Sequence, residues 1–251
     1  MNNFIFVAHR GESFSAPENT LESINLAWER NNDAVEIDIH LTKDNKIAVI
    51  HDANTKRVSG SYFKVASLPL NDLKKLNAGK YKGDNWENVK IPSLREVLYT
   101  IPDDKKLFIE IKCGPEILDH LKLELNEFKH KTDQIKIISF NFNTMKMARQ
   151  SFKDYEVFWL RRIEKNFLQF WKLNINEIIN ISLENEFDGL NIKYSKVISP
   201  SIVKMIKESG LKLFVWTVNE PELAKKLISY GIDGITSDRP SWLKQQMNFK
   251  N

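Results

Sequence analysis

One cysteine, five histidines and no run of like charge mark this 251-residue chain more sharply than anything it has in abundance. A lone thiol, Cys113, excludes an internal disulfide. It follows an apolar run and precedes Gly114-Pro115, as a small half-buried side chain would, and no neighbour supplies the base or depressed pKa of a nucleophile. The 37 basic and 33 acidic residues leave a net charge of only +4, too mild to argue for nucleic acid as a partner. No apolar stretch is long enough to span a bilayer. The segment Met1–His9 lacks a basic n-region, and its apolar run is too short for a signal peptide, so a cytoplasmic protein is expected. Internal repeats and low-complexity tracts are also missing.

What remains is an alternation. Short runs rich in Ile, Val and Phe predict strands at 4–8, 34–40, 107–112, 135–139, 156–160, 187–191, 212–217 and 232–236. Helical spacing predicts helices near 18–31, 93–100, 115–130, 143–152, 174–185, 199–209, 220–230 and 240–248. Pro200, Pro221 and Pro240 stand where helices should begin, and Gly210 and Gly231 where they should end. Alternating strands and helices at this length predict an α/β fold closed into a (β/α)₈ barrel, with 1–251 as a single domain. Residues 41–51 break the pattern: the turn Thr42-Lys43-Asp44-Asn45 and the strand-like Lys46–His51 suggest that the second strand doubles back as a hairpin. From about 52 to 92 the chain is polar and irregular, with one short helix near 70–77. This is expected to be a small insertion over the barrel mouth.

A barrel of this kind carries its chemistry at the C-terminal ends of its strands. His9 ends the first strand, Glu36 and Asp38 lie late in the second, Glu110 and Lys112 end the third, and Trp216 ends the seventh. Side chains alternate along a strand, so Glu36 and Asp38 project together into the mouth while Val35, Ile37 and Ile39 meet the helices. Glu110, between Ile109 and Ile111, repeats that pattern. Confined carboxylates repel unless a cation intervenes. Three of them without thiol or imidazole favour a hard divalent ion, Mg²⁺ or Ca²⁺, over zinc. The competing reading is a structural salt-bridge network with Arg10 and Lys112. His9 and His51 bracket the acids, and histidine titrates near neutrality, so one can accept a proton while the other donates it. Arg10 offers a planar fork to phosphate oxygens and Lys112 a point charge. His40 is assigned to a polar rim beyond the strand end, His120 and His130 to the solvated surface, and Glu18-Asn19-Thr20 to capping of the first helix.

The ordered set resembles the glycerophosphodiester phosphodiesterase family. It comprises His9-Arg10-Gly11, Pro17-Glu18-Asn19-Thr20, Glu36-Ile37-Asp38, Thr42-Lys43-Asp44, His51-Asp52, Glu110-Ile111-Lys112, Trp216-Thr217-Val218-Asn219 and Asp233–Pro240. Each tripeptide is weak alone; the series, nearly end to end, is specific. The resemblance implies a (β/α)₈ barrel with a small insertion and one divalent metal. It assigns Glu36, Asp38 and Glu110 as ligands and His9 and His51 as the acid–base pair. Arg10 and Lys112 would hold the phosphate, and Trp216 would line the alcohol pocket.

The expected reaction is hydrolysis of a glycerophosphodiester to glycerol 3-phosphate and an alcohol such as choline or ethanolamine. The nucleophile is left open between water and the substrate's own 2-hydroxyl. Two other readings compete. Aromatics interleaved with basic residues over Tyr155–Arg162 and Phe167–Lys172 suggest contact with a membrane surface and a lysophospholipase D-type activity. Against it, Phe167, Phe170, Trp171, Ile175, Ile178 and Ile179 have core-helix spacing. The other is a catalytically dead barrel that senses a phosphodiester, disfavoured because every expected position is filled.

Overall fold

A computed structural model describes residues 4–163 and 175–249. Its first half runs β1 (Ile5–His9), α1 (Leu21–Glu29), β2 (Ala34–Leu41), β3 (Ile47–Val49), α2 (Lys56–Ser59), α3 (Leu70–Leu73), α4 (Leu94–Leu98), β4 (Lys106–Ile111) and α5 (Leu118–Asn126). The second half continues with β5 (Ile135–Ser139), α6 (Phe142–Ser151), β6 (Glu156–Arg162), α7 (Ile175–Glu184), β7 (Gly189–Lys193), α8 (Pro200–Glu208), β8 (Lys212–Trp216), α9 (Pro221–Ser229), β9 (Gly234–Ser237) and α10 (Pro240–Gln246). The sheet order is β1-β9-β8-β7-β6-β5-β4-β2-β3, and a further β1–β2 pairing closes eight parallel strands into the expected barrel. The ninth, β3, is the predicted hairpin arm, antiparallel to β2 with Ile39 opposite Val49.

Two cores hold the barrel. Outside, Val35, Ile37, Ile39, Ile109 and Ile111 meet helix residues such as Leu94, Val97 and Leu121. Inside, Phe108, Phe158 and Phe214 plug the lumen, with Phe108–Phe214 and Phe158–Phe214 ring centroids 5.0 and 5.3 Å apart in edge-on contacts. Edge-to-face packing suits rings whose faces are negative and edges positive. The plug matters for function because it floors the mouth.

Two strands begin later than their apolar runs suggest. Phe187 and Ile232 are buried, yet β7 starts at Gly189 and β9 at Gly234. The intervening aspartates are spent on neighbouring strands. Asp188 Oδ2 accepts from the Val157 amide at 2.7 Å, and Asp233 Oδ2 from the Leu213 amide at 2.6 Å. An apolar run therefore marks burial, and these side-chain caps mark where the ladder starts.

Segment 52–92 packs Val58, Val65, Leu70, Leu73 and Val89 into a small cluster with Ala48 and Ile50 of the hairpin region. The Thr42–Asp44 turn anchors it, since Thr42 Oγ1 donates to Asp44 Oδ1, which also accepts from the Leu70 amide. The aromatic-basic stretch divides. Glu156–Arg162 forms β6, with Val157–Leu160 buried, whereas Phe167–Lys172 lies outside the described residues. Ile178 and Ile179 of α7 are buried. Among the described residues, no helix is long and apolar enough to cross a membrane.

One half-buried acid lies far from the mouth. Glu124 on α5 has an Oε2 without a hydrogen bond, and burial pushes its carboxyl up to about 7 against the pull of Arg95 and Lys46. Between its ordinary 4.5 and 7 the folded chain binds a proton that the unfolded chain releases, so stability falls as pH rises through that window. Glu124→Gln should therefore raise Tm over the wild type at pH 8 and change it far less at pH 5. A Tm difference independent of pH in calorimetry would refute this.

Candidate active site

Each inward strand face reads floor first, reactive group second. Val7 precedes His9 on β1, Ala34 precedes Glu36 and Asp38 on β2, and Phe108 precedes Glu110 on β4. Register sets their height: His9 pairs with Glu36 across β1–β2, and Asp38 with Glu110 across β2–β4. One cavity accordingly gathers His9, Arg10, Glu36, His51, Glu110, Lys112 and Trp216, with Asp38 buried just beside it. All eight residues singled out in the sequence thus converge.

Glu36, Asp38 and Glu110 are 4%, 0% and 8% exposed, and each offers an oxygen within 4.8 Å of the others. Their environments differ. Asp38 would be raised by burial, but Arg10 and Lys112 outweigh that and draw it down to about 2. Burial and repulsion from Asp38 push Glu110 up to about 7, despite Lys112. Burial, with Asp38 and Glu110, pushes Glu36 well above the ordinary range. The salt-bridge network weighed against a metal is real: Lys112 Nζ donates to Glu110 Oε1 at 2.6 Å and stands 3.4 Å from Asp38 Oδ1. Arg10 Nε lies 3.1 Å from Asp38 Oδ2. The network is nevertheless incomplete, because Glu36 Oε1 and Asp38 Oδ1 are buried without a hydrogen bond. Orphaned acceptors in an all-oxygen trio are what a hard divalent cation would satisfy.

Local backbone geometry aims these groups. Arg10 adopts φ 56° and Gly11 φ 82°, turning the chain sharply after β1. The Arg10 amide donates to Glu36 Oε2 at 3.0 Å, while its guanidinium reaches Glu18 Oε1 at 2.9 Å. Gly11 has no room for a side chain, since a Cβ there would lie 2.5 Å from the Ser23 backbone. Asn19, also left-handed, clamps Asp38 from both sides: its Nδ2 donates to Oδ2 and its Oδ1 accepts from the Asp38 amide. Thr20 caps α1 as anticipated, with the Ser23 amide donating to its hydroxyl. Its neighbours Glu18 and Asn19 serve the site instead.

Both histidines are held by one nitrogen. His9 Nδ1 lies 2.7 Å from Asp238 Oδ1, and Asn219 Nδ2 donates to the other oxygen of Asp238. His51 Nδ1 lies 2.7 Å from Asp52 Oδ1, whose Oδ2 accepts from Arg57 Nε. Hydrogen bonds to His9 and Arg57 keep Asp238 and Asp52 below the ordinary carboxylate range, although burial opposes this. Burial holds His51 below the usual imidazole value, with Arg10 and Lys112 pushing the same way. Arg57 also forks onto Glu18 at 2.7 and 2.8 Å, linking the insertion to the loop that carries Arg10. His40 is a correction: it lies within β2, 7% exposed, and its Nε2 donates to the His51 carbonyl at 3.1 Å. The hairpin shields it, so it braces His51 from below and forms no polar rim.

Several contributors carried no local signal. Asp238 is 229 residues from its partner His9, and nothing near Arg57 marks it as a brace for Asp52. Phe140, Leu160, Arg162 and Asn191, on or just beyond β5, β6 and β7, complete the cavity wall. A larger cleft, about 700 Å³, runs along α10, but its acid Glu12 is already bonded to Asn32 and Ser241. It gathers no comparable set of free reactive groups.

A family model described as the glycerophosphoryl diester phosphodiesterase family matches residues 9–241. The chain belongs to that family. It is therefore a phosphoric diester hydrolase by membership. A glycerophosphodiester phosphodiesterase of Caldanaerobacter subterraneus is 32% identical over 244 residues, covering 95% of this chain and 96% of the relative. The YhdW protein of Bacillus subtilis is 31% identical over 248 residues, 98% of both chains. Among solved structures, an Oleispira antarctica phosphodiesterase in complex with its product sn-glycerol-3-phosphate superposes with a TM-score of 0.84 at 26% identity, covering 97% of this chain and 96% of that one.

Two outcomes test the geometry of this family member. Gly11→Ala should cost about 2 kcal/mol or more, from strain at positive φ plus the clash with Ser23. Chemical denaturation reads this, and a loss below about 0.5 kcal/mol would contradict it. Saturating Mg²⁺ or Ca²⁺ should stabilise the wild type by about 2–3 kcal/mol at 100-fold excess over Kd. The same titration of Glu36→Gln should show most of that gain lost; an undiminished gain would place the ion elsewhere.

Proposed function

We propose that this chain hydrolyses glycerophosphodiesters to sn-glycerol 3-phosphate and an alcohol, with His9 and His51 as the general acid–base pair. The observation that carries this reading is the matched tethering of the two rings. Each gives Nδ1 to a carboxylate and lines the same cavity, leaving Nε2 as the nitrogen free to exchange a proton with substrate. His51, whose burial favours the neutral ring, suits proton acceptance from the nucleophile, and His9 then protonates the leaving alkoxide. Asp52 and Asp238 orient the rings and stabilise whichever imidazole becomes charged.

Glu36, Asp38 and Glu110 would hold one divalent ion, Mg²⁺ or Ca²⁺, which supplies Lewis-acid polarisation of a phosphate oxygen. Lys112 and the outer edge of Arg10 would offset the charge that builds on the phosphoryl oxygens. Arg10 cannot offer its whole fork, because one terminal nitrogen and Nε already face Glu18 and Asp38. Trp216, with its Nε1 donating to the Asn191 carbonyl at 3.3 Å, would present a fixed ring to the substrate. We take 1–251 as one catalytic unit, since the insertion contributes His51's supports Asp52 and Arg57.

His9→Ala and His51→Ala should each lower kcat by about 10²–10⁴ on a panel of glycerophosphodiesters, with product affinity nearly retained. Chelation should abolish turnover, and readdition of Mg²⁺ or Ca²⁺ should restore it and reveal which is preferred. Near-normal turnover by either variant would overturn the acid–base assignment; unaffected turnover after chelation would overturn the metal.

A further inference from the structure

The cavity wall beyond β4 carries a cation of its own. Phe140, just beyond β5, and Trp216, at the end of β8, stand edge-to-face with centroids 5.6 Å apart. An aromatic pair at a cavity mouth would ordinarily suit an ammonium group, drawn to the electron-rich ring faces. Here a cation of the chain already stands against each ring. The Arg162 guanidinium lies 5.3 Å from the Phe140 centroid and 5.9 Å from that of Trp216, and Lys112 Nζ lies 6.0 Å from Phe140. Arg162 follows Phe158 and Leu160 along the inward face of β6, the first in the plug, the second in the wall, the third exposed at the rim. It therefore reaches the cavity from a strand that pairs with neither β2 nor β4, which carry the proposed metal ligands.

We propose that Arg162 determines specificity by selecting a phosphodiester whose alcohol is rich in hydrogen-bond acceptors and carries no positive charge. A choline or ethanolamine head group would meet a like-charged guanidinium beside the aromatic rings that would otherwise attract it. A glycerol-like polyol meets a planar array of N–H donors instead. The proposal rests on the hydrolase reading above and narrows it, replacing the cationic alcohols expected from the sequence.

The test compares kcat/KM for glycerophosphoglycerol and glycerophosphocholine, each normalised to the methyl ester of glycerol 3-phosphate, in metal-supplemented protein. The wild type should favour the glycerol diester over the choline diester by about tenfold. Arg162→Gln should shrink that ratio to about twofold or less, and Arg162→Lys, which keeps the charge, should retain most of it. A wild type that cleaves the choline diester as well as the glycerol diester overturns the proposal while leaving the hydrolase reading intact. So does an Arg162→Gln variant that slows all three substrates by one factor, since a merely structural arginine would do the same. No turnover of any of the three with either metal overturns the hydrolase reading, and the selectivity falls with it.

Discussion

Three carboxylates crowded into the mouth of a barrel are the constraint around which the rest of this structure is arranged. Glu36, Asp38 and Glu110 approach one another because parallel pairing sets β2 beside β4 and one face of each strand points inward. Left alone they would take up protons, and Glu110 is indeed pushed up to about 7. The neighbourhood offsets the repulsion in pieces: Arg10 and Lys112 supply charge, and Asn19 Nδ2 and the Arg10 amide each donate one hydrogen bond to a carboxylate. The compensation falls short at Glu36 Oε1 and Asp38 Oδ1. Breaking or leaving open part of a buried polar network is expensive, so such a deficit in a family member points to a ligand rather than to slack.

The same constraint explains the unusual backbone of the first loop. Two non-glycine residues, Arg10 and Asn19, adopt positive φ, and both bond to the acids of β2. The loop is held in turn by Ser23 of α1 and, through Glu18, by Arg57 of the insertion. The insertion thereby becomes part of the electrostatic frame. It carries Asp52 to His51 and a cation back to the loop, so the two histidines and the acids share one hydrogen-bonded periphery.

Much of this was legible in residue order because β-strand alternation is a local rule. Glu36 and Asp38 two apart must share a face, and Val35, Ile37 and Ile39 must share the other. The hairpin was equally legible, since a polar turn between two apolar runs returns the chain antiparallel to itself. Strand starts at β7 and β9 were less so, because Asp188 and Asp233 cap neighbouring strands and delay the ladder. His40 was misplaced for a related reason: β2 continues to Leu41 under its hairpin arm and buries a side chain that looked terminal.

By itself, then, the sequence determined the alternation of strands and helices, the faces on which the acids lie, and the ordered motifs that mark the family. These follow from spacing along a single strand or helix, where the chain's own geometry is the only variable. The tertiary structure alone decided which carboxylate holds which imidazole, that Arg57 closes the frame, and that Arg162 stands against the Phe140 and Trp216 rings. Those pairings join residues as far apart as His9 and Asp238, whose proximity exists only once β1 pairs with β9 and the barrel closes.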